Sequence, residues 1–415
     1  MATMGNTNSV IRRFLPAESQ QREASPRVPH KGVSSSEAPR KKDDKDHLSN
    51  SAAAGYDLER ELKQFIEAKA SIKDLVDAGI THIPGFCHFP DSIRTSPPST
   101  TARSSIPVVD LSVPRPRAVE LVAGAAREWG FFLVTNHGIP LHQISAALSS
   151  VQAFNELPAE TKATYSTREE TRAFIFNSNL TPSMRGVASW RDNLQVATSP
   201  RLPNPETIPE VCRVELLDWD KTTRGLAARL MELLSEGLGV EAERLEGLSC
   251  LDGRVVMGNY YPYCPQPELT MGQGGHTDPA ALTVLVQNEV GGLLIKKGSV
   301  FEDGEWFEVD PVPGAIIIII GDILQIISND EYKSAEHKVV ANPHKTSRIS
   351  VASFCFPGKM DDSTHYGPLQ ELVSKKPARY RQFTMSEHRR AMFARVEGVS
   401  SVVHNFKLEE AHTTP

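Results

Sequence analysis

The sequence predicts a mainly β protein with flanking α-helices. Its core is a double-stranded β-helix (jelly roll), with a helical region on the N-terminal side and a helix on the C-terminal side. Eight short strand-like runs separated by turn residues lie within residues 251–360, which is typical of a jelly roll. Longer runs with helical spacing of apolar residues precede this stretch, and one follows it.

Composition divides the chain into four regions. Residues 1–55 are rich in Ser, Pro, Lys and Arg and poor in large apolar residues, which predicts a disordered tail. Residues 56–250 form an N-terminal α/β region, residues 251–360 the core, and residues 361–415 a C-terminal helix and tail. Three glutamates in residues 1–55 argue against an organelle transit peptide, so we expect a cytoplasmic protein.

Helices and strands alternate in the N-terminal region. Leu58 to Gly79 has apolar residues at helical spacing and ends on a glycine, a common helix stop. Residues 84–105, with two adjacent prolines and several serines, are predicted as a loop. The other predicted elements are a strand at 106–111, a helix at 117–130, a strand at 131–134, a turn at 136–138, and helices at 141–157 and 215–237.

The core region has the strongest strand pattern. The predicted strands are 254–261, 282–287, 293–295, 306–309, 315–320, 324–327, 338–340 and 348–356. The predicted turns are Gly291-Gly292, Asp303-Gly304, Pro313-Gly314 and Gly321-Asp322. A helix at 375–395 is expected to pack across the mouth of the jelly roll, and residues 402–415 are expected to fray.

Charge and composition exclude some classes of function. The net charge is −6, whereas a general nucleic-acid binder is expected to be basic. No apolar run approaches the ~20 residues that a membrane span needs. The five cysteines are odd in number and have no C-x-x-C spacing, which indicates reduced, intracellular thiols. We expect a monomer that acts on a small molecule.

His276, Asp278 and His337 form a candidate iron site. Residues i and i+2 of an extended segment point to the same side, so His276 and Asp278 can reach one ion. His337 is separated from Asp278 by 58 residues (337 − 278 − 1) and has to come from another strand. Two imidazoles and one carboxylate on one face of a metal are typical of non-haem Fe(II) oxygenases. A lone His-x-Asp is a weak signal in a chain with 13 histidines.

Arg348 is a candidate anchor for an anion beside this metal. It lies in a run with period-2 alternation, so Arg348 and Ser350 share one face of a strand and Ile349 and Val351 the other. A guanidinium matches a carboxylate bidentately. An arginine on a solvated strand face is the alternative, but the metal ligands upstream favour anion binding.

An ordered set of motifs resembles the plant iron(II)- and 2-oxoglutarate-dependent dioxygenases of specialised metabolism, over about residues 56–393. The motifs are Asn259-Tyr260-Tyr261-Pro262, His276-Thr277-Asp278, Gly321-Asp322, Ser328-Asn329, His337-Lys338-Val339 and Arg348-Ile349-Ser350-Val351. The resemblance implies Fe(II) on the two histidines and the aspartate. It implies that Arg348 and Ser350 bind the distal carboxylate of 2-oxoglutarate, with Asn259 and Tyr261 nearby. It also implies that His137 is a hydrogen-bonded turn residue and not a ligand.

The function implied by this resemblance is oxidation of a small plant specialised metabolite. The reaction consumes O2 and 2-oxoglutarate, releases succinate and CO2, and results in hydroxylation, O-demethylation or desaturation, with ascorbate as a reductant. One alternative is a 1-aminocyclopropane-1-carboxylate oxidase, which uses ascorbate instead of 2-oxoglutarate; the long leading helix before Ile106 argues against it. Another is a non-catalytic jelly roll that binds a small molecule, but it predicts a missing ligand or a lost arginine.

Two segments resemble one clade, the 1-aminocyclopropane-1-carboxylate oxidase homologues, which include benzoxazinoid-glucoside dioxygenases. They are the leading helix and residues 177–194. Ile319 departs from the family, which usually has Asn two residues before the glycine that corresponds to Gly321. Trp190-Arg191-Asp192 is either a substrate wall or a salt-bridged strand end, and we favour the second for Arg191 and Asp192. The substrate is expected to lie against residues 174–194, the C-terminal arm and Phe356.

Overall fold

The computed structural model describes residues 58–91, 106–167, 169, 172–178, 187–297, 304–358, 363–394 and 401–409. The predicted tail at 1–55 lies outside these residues, as does most of the predicted loop at 84–105. None of the described helices is long and apolar enough to cross a membrane.

Most of the described helices precede the core strands in the sequence. They are α1 (58–67), α2 (Ile72–Asp77), α3 (Arg115–Glu128), α4 (Leu141–Asn155), α5 (Ala159–Tyr165), α6 (Glu210–Gly237), α7 (Asp322–Ile327), α8 (Gln370–Val373) and α9 (Met385–Phe393).

The strands form two larger sheets and one short pair. They are β1 (Val108–Asp110), β2 (Phe131–Thr135), β3 (Phe174–Asn177), β4 (Asp192–Ser199), β5 (Gly253–Tyr261), β6 (Met271–His276), β7 (Leu282–Gln287), β8 (Leu293–Lys296), β9 (Trp306–Glu308), β10 (Ile316–Ile320), β11 (His337–Val340), β12 (Arg348–Phe356), β13 (His365–Tyr366) and β14 (Phe383–Thr384). The major sheet has the order β1-β2-β10-β7-β12-β5-β4-β3, the minor sheet β6-β11-β8-β9, and β13 pairs with β14.

The two faces of the major sheet bury different cores, because side chains alternate along a strand. On β12, Ile349 and Val351 join the core under helices α3, α4 and α6. Ala352 joins a second core that includes Leu293 and Val339 of the minor sheet. Arg348 and Ser350 have the same parity as Ala352, so they face the space between the two sheets. The predicted division of β12 into two faces is therefore confirmed.

The helical segment before the sheets is broken into two helices. Residues 58–67 are helical, and a second helix starts after Ser71, whose hydroxyl accepts a hydrogen bond from the N–H of Asp74 in a capping box. The helix predicted as uninterrupted from Leu58 to Gly79 is therefore broken at residues 68–71, where Lys69 has a φ of +54° and Ser71 caps the next helix. A separate apolar cluster forms here and includes Trp190 and Cys264.

The strand predicted at 324–327 is wrong, because these residues belong to helix α7. Every residue of α7 is buried, and a short apolar run that is buried all round gives no periodicity by which to separate strand from helix. The C-terminal helix is shorter than the predicted 375–395, since it starts after the capping residue Thr384. The predicted fraying is wrong for residues 402–409, because Val402, Val403 and Phe406 are buried in the core under the helices. Strands β3, β4, β6, β13 and β14 are absent from the predicted strands.

Most other predicted elements are present with shifts of a few residues at their ends, and the fold class is confirmed. His137 occupies its predicted turn: its Nδ1 accepts from the N–H of Ile139, and its Nε2 lies 2.7 Å from the carbonyl oxygen of Gly314. Ile319 is fully buried in β10, between β2 and β7. All five cysteines are free and buried, and burial raises the pKa of the Cys250 and Cys355 thiols to about 12, so these thiols are unreactive.

Candidate metal centre and anion site

The three candidate iron ligands meet at one end of the minor sheet. His276 is the last residue of β6, His337 is the first residue of β11, and the two are directly opposite each other in this antiparallel pair. Their ring centroids are 4.3 Å apart. Asp278 follows β6 by two residues, and its carboxylate points toward both rings.

The distances suit one shared cation. The ligand atoms of the three residues all lie within 4.8 Å of one another. Oδ1 of Asp278 is 3.8 Å from Nε2 of His276 and 3.5 Å from Nε2 of His337. Two ligands bound side by side at about 2.1 Å from a metal would lie about 3 Å apart. Binding therefore needs only a small contraction of the group.

Backbone and side-chain hydrogen bonds prepare each ligand atom. Nδ1 of His276 lies 3.0 Å from the carbonyl oxygen of Gly274, and Nδ1 of His337 lies 3.1 Å from that of Ala335. A carbonyl only accepts, so each Nδ1 carries the proton and each Nε2 keeps its lone pair for a metal. Thr283 donates to Oδ2 of Asp278 at 2.6 Å, which leaves Oδ1 directed at the histidines.

Asp322 connects the two chain segments that carry the ligands. Its carboxylate accepts from the hydroxyl of Thr277 at 3.0 Å and from that of Ser334 at 2.6 Å. Thr277 stands between the first two ligands, and Ser334 precedes the residue whose carbonyl fixes His337. The N–H of Val402 in the C-terminal segment donates to the same carboxylate. The sequence places Asp322 in a turn and in a family motif, and neither shows this connection.

Gly321 permits the approach of α7 to the ligand turn. A Cβ at this position would lie 2.0 Å from the carbonyl oxygen of Ala280. The N–H of Asp322 donates to the carbonyl of Asp278 at 2.8 Å, and that of Gly321 to the carbonyl of Ala281 at 3.0 Å. The turn that follows the ligands is therefore held directly against the start of α7.

Arg348 is a buried guanidinium without an acidic partner among the described residues. It is 1% exposed, it donates to Oε1 of Gln287 at 2.8 Å, and it lies 4.8 Å from the ring centre of Tyr261. Its Nε has no hydrogen-bond partner. Burial lowers the pKa of this guanidinium below its usual value; Tyr261 opposes the shift and the charge of Arg191 adds to it.

The other candidate co-substrate residues lie beside Arg348 on the same face. Tyr261 pairs with Arg348 and Asn259 with Ser350 across β5 and β12. The hydroxyl of Ser350 is 3.5 Å from Nη1 of Arg348, which is long for a hydrogen bond, so this hydroxyl keeps most of its capacity for a ligand. Gln287 is a contact that the sequence missed, since only the pairing of β7 with β12 reveals it.

The predicted Arg191–Asp192 salt bridge is wrong. Arg191 donates to Oδ1 of Asn259 at 2.8 Å. Asp192 accepts from the N–H groups of Ile72 and Lys73, each at 2.8 Å, at the start of α2. Consecutive residues entering a strand point to opposite sides, which separates the two charges.

The predicted substrate wall is wrong in part. Phe176, Leu194 and Phe356 pack in or against the core under the helices. Trp190 belongs to the N-terminal cluster, and its Nε1 donates to the carbonyl of Tyr263. Residues 179–186 of this region lie outside the described residues. Among the described residues of this stretch, Arg191 contacts Asn259 and Asn193 pairs with it, so both lie on the face that carries Arg348.

The donor set and the unpaired guanidinium fit a ferrous ion and a dicarboxylate, and comparison with known proteins agrees. The chain belongs to the 2OG-Fe(II) oxygenase superfamily. The family model of that description matches residues 253–357, and a second, described as the non-haem dioxygenase in morphine synthesis N-terminal, matches residues 106–212. The protein is thus an oxidoreductase that uses iron and 2-oxoglutarate.

Its relatives include the 1-aminocyclopropane-1-carboxylate oxidase homologues of Arabidopsis thaliana. Homologue 6 is 40% identical over 357 residues, which cover 84% of this chain and 98% of the relative. Homologue 1 is 38% identical over 353 residues, which cover 83% and 94%. The resemblance to this clade is confirmed.

Solved structures share the fold. JOX2 in complex with 2OG, Fe and JA has a TM-score of 0.70 and 29% identity, covering 81% of this chain and 97% of that one. The dioxygenase for auxin oxidation in rice has a TM-score of 0.60 and 22% identity, covering 73% and 100%, a likeness that shows the fold alone.

Proposed function

We propose that the chain oxidises a small plant specialised metabolite by hydroxylation, O-demethylation or desaturation, with release of succinate and CO2. One observation carries the proposal: two histidines whose Nδ1 atoms face backbone carbonyls and one carboxylate converge beside a buried arginine that has no acidic partner among the described residues. When bound, Fe(II) with 2-oxoglutarate supplies the O2-dependent oxidising chemistry. We propose His276, Asp278 and His337 as the iron ligands.

The residues of the chain bind and orient. Arg348 directs its unpaired Nε and neighbouring donors at the far carboxylate of 2-oxoglutarate, and Ser350 adds a hydroxyl. Tyr261 lies alongside the guanidinium, and Asn259 holds Arg191 at the edge of the same face. Asp278, Arg348 and Ser350 are almost completely buried, and low local polarity strengthens ionic contacts made by such groups.

The test begins with binding under anaerobic conditions. Addition of 2-oxoglutarate to the Fe(II)-loaded protein should produce the visible charge-transfer absorption of the chelate. Plant-extract fractions are then screened for those that trigger succinate formation with O2 and ascorbate present. A protein that binds 2-oxoglutarate only as weakly as an Asp278→Ala variant does would contradict the proposal.

The same assay separates the alternatives. A 1-aminocyclopropane-1-carboxylate oxidase would form ethylene from its substrate with ascorbate and without 2-oxoglutarate. A non-catalytic binder would hold metal and release no succinate with any fraction. Arg348 favours the 2-oxoglutarate reaction, because a buried and unpaired guanidinium is costly unless an anion joins it.

We also propose a cytoplasmic monomer, with the regional boundaries at 55, 250 and 360 given above. Its partners are the small-molecule substrate and O2, with no nucleic acid or membrane. Import into plastids of a reporter fused to residues 1–55 would contradict the proposed cytoplasmic location. Light scattering of the purified protein tests the proposed monomeric state.

A further inference from the structure

A second guanidinium reaches the site. Arg191 is half-buried just before β4, and its Nη1 donates to Oδ1 of Asn259 at 2.8 Å. Asn259 lies two residues before Tyr261 on β5, so both side chains project from the face that carries Arg348. The head of Arg191 is thereby fixed beside the proposed co-substrate site.

No carboxylate in the described parts of the chain neutralises Arg191. Its neighbour Asp192 is engaged on the other side of the strand by α2 and by the hydroxyl of Ser178. The positive charge of Arg191 repels that of Arg348. Burial is the largest cause of the lowered pKa of Arg348, and this repulsion lowers it further. Two like charges on one partly dry face are unfavourable unless anions join them.

One dicarboxylate does not balance the charge of the site. With ferrous iron bound, two arginines and one aspartate give the site a net charge of three positive units, since both histidines are neutral with the proton on Nδ1. The adjacent Lys296 forms an ion pair with Glu336, and the buried Lys338 beside this pair adds a further positive charge. Bound 2-oxoglutarate, a dianion, leaves the site positive. A monoanionic substrate would reduce the remaining charge.

We propose that Arg191 binds a carboxylate of the organic substrate, so that the compound oxidised is a small organic acid. This inference rests on the proposed function and narrows its substrate class. The half-buried position suits the role, because the side chain is partly desolvated and still partly exposed. Asn259 fixes one edge of the planar group, which leaves the remaining donors for a carboxylate.

The first experiment compares acids with neutral analogues of the same shape. The protein is loaded with redox-inert Mn(II) and saturating 2-oxoglutarate, so that Arg348 is occupied. Binding of 4-fluorophenylacetate and 6-fluorohexanoate, and of their carboxamides, is measured by the paramagnetic relaxation of the 19F signal. We expect at least one acid to bind about tenfold more tightly than its amide.

Variants of Arg191 link this preference to its charge. Arg191→Gln should reduce the acid-to-amide ratio to near one, and Arg191→Lys should retain most of it. The matched control Arg117→Gln, on an exposed arginine of α3, should leave it unchanged. Equal binding of acid and amide in the unmodified protein overturns the inference. So does a ratio that survives Arg191→Gln.

A second measurement distinguishes the substrate from the co-substrate as the source of the carboxylate. The Kd for 2-oxoglutarate in the Mn(II)-loaded protein should change less than about threefold in Arg191→Gln and much more in Arg348→Gln. Equal losses in the two variants would assign Arg191 to 2-oxoglutarate and overturn the inference while the proposed function stands. Failure of the unmodified protein to bind 2-oxoglutarate would overturn both.

Discussion

At the scale of single residues, the site depends on proton positions and on charges left without partners. The carbonyls of Gly274 and Ala335 determine which nitrogen of each histidine faces the metal. Gln287 and Tyr261 hold Arg348 but do not neutralise it. These contacts place three side chains that could hold a metal beside a buried charge that has no acidic partner among the described residues.

Loss of the carboxylate ligand should abolish activity without unfolding the protein. Asp278 is 2% exposed, and its Oδ2 accepts from Thr283, so Asp278→Ala removes a ligand and one hydrogen bond. We expect iron content and substrate-triggered use of 2-oxoglutarate to fall below detection while the circular dichroism spectrum is retained. His142→Ala, on the exposed surface of α4, is the control. Full turnover by Asp278→Ala would refute the triad.

Substitution of Arg348 should mainly weaken the binding of the co-substrate 2-oxoglutarate. Truncating one member of a buried charge pair costs about 2–5 kcal/mol, which corresponds to a rise in the KM for 2-oxoglutarate of about 30-fold or more. Arg348→Lys should recover part of the loss, because it restores the charge but not the planar fork. An unchanged KM in Arg348→Gln would remove this residue from its proposed role.

The residues that could be predicted are those whose chemistry appears within a short window of sequence. His276 and Asp278 are two positions apart, and Arg348 lies in an alternating strand. Period-2 geometry therefore predicted that the first two side chains meet and that Arg348 shares a face with Ser350. The partner of Arg191 could not be predicted. It depends on the register between β4 and β5, strands that are more than fifty residues apart along the chain, and the apparent partner Asp192 points the other way.

At the scale of elements, the misassigned helix α7 is the one that organises the metal centre. All six residues of this helix are buried, so it has no exposed polar face by which a helix is normally distinguished from a strand. Its first residue, Asp322, receives hydrogen bonds from both ligand-bearing segments and from the C-terminal segment. The position of the ligands therefore depends on an element that carries no ligand itself.

Asp322→Asn should loosen the metal site while most of the fold persists. The amide conserves volume but loses the acceptor strength that Thr277 and Ser334 use. Removal of such a supporting contact typically costs about 10–100-fold in metal affinity, which we expect in Mn(II) titrations. Asp218→Asn, exposed on α6, is the matched control. A lowered Tm with unchanged Mn(II) affinity would indicate a purely structural role.

A methyl group at Gly321 should separate α7 from residues 278–281, the turn that follows the metal-ligand candidates. The added Cβ would lie 2.0 Å from the carbonyl oxygen of Ala280, so backbone has to move. We expect Gly321→Ala to lower the free energy of unfolding by about 2 kcal/mol or more. Gly124→Ala is the control: it lies within α3 with nothing within 4 Å and should stabilise by about 0.5–1 kcal/mol. Similar effects of the two substitutions, measured by urea unfolding, would contradict this account.

At the scale of the molecule, the sequence predicted the jelly roll but not the way the N-terminal region attaches to it. Short strands with turns between them indicate a sandwich directly. The attachment depends on buried charges. Lys162 forms an ion pair with Asp74 at 2.8 Å and donates to the carbonyl of Asn155. The carboxylate of Asp192 accepts hydrogen bonds from the first two N–H groups of α2. Nothing in the local sequence of Lys162 distinguishes it from an exposed lysine of a short helix.

The folded molecule should be stabilised by its metal, because only folding brings the three ligands together. In the unfolded chain 58 residues separate Asp278 from His337, so Mn(II) binds the native state almost exclusively. Metal at 100 times its Kd adds about 2.7 kcal/mol to the free energy of unfolding, which corresponds to a rise in Tm of a few degrees in calorimetry. A chelator should reverse the rise, and Asp278→Ala should not show it. An equal rise in that variant would place the bound metal elsewhere on the protein.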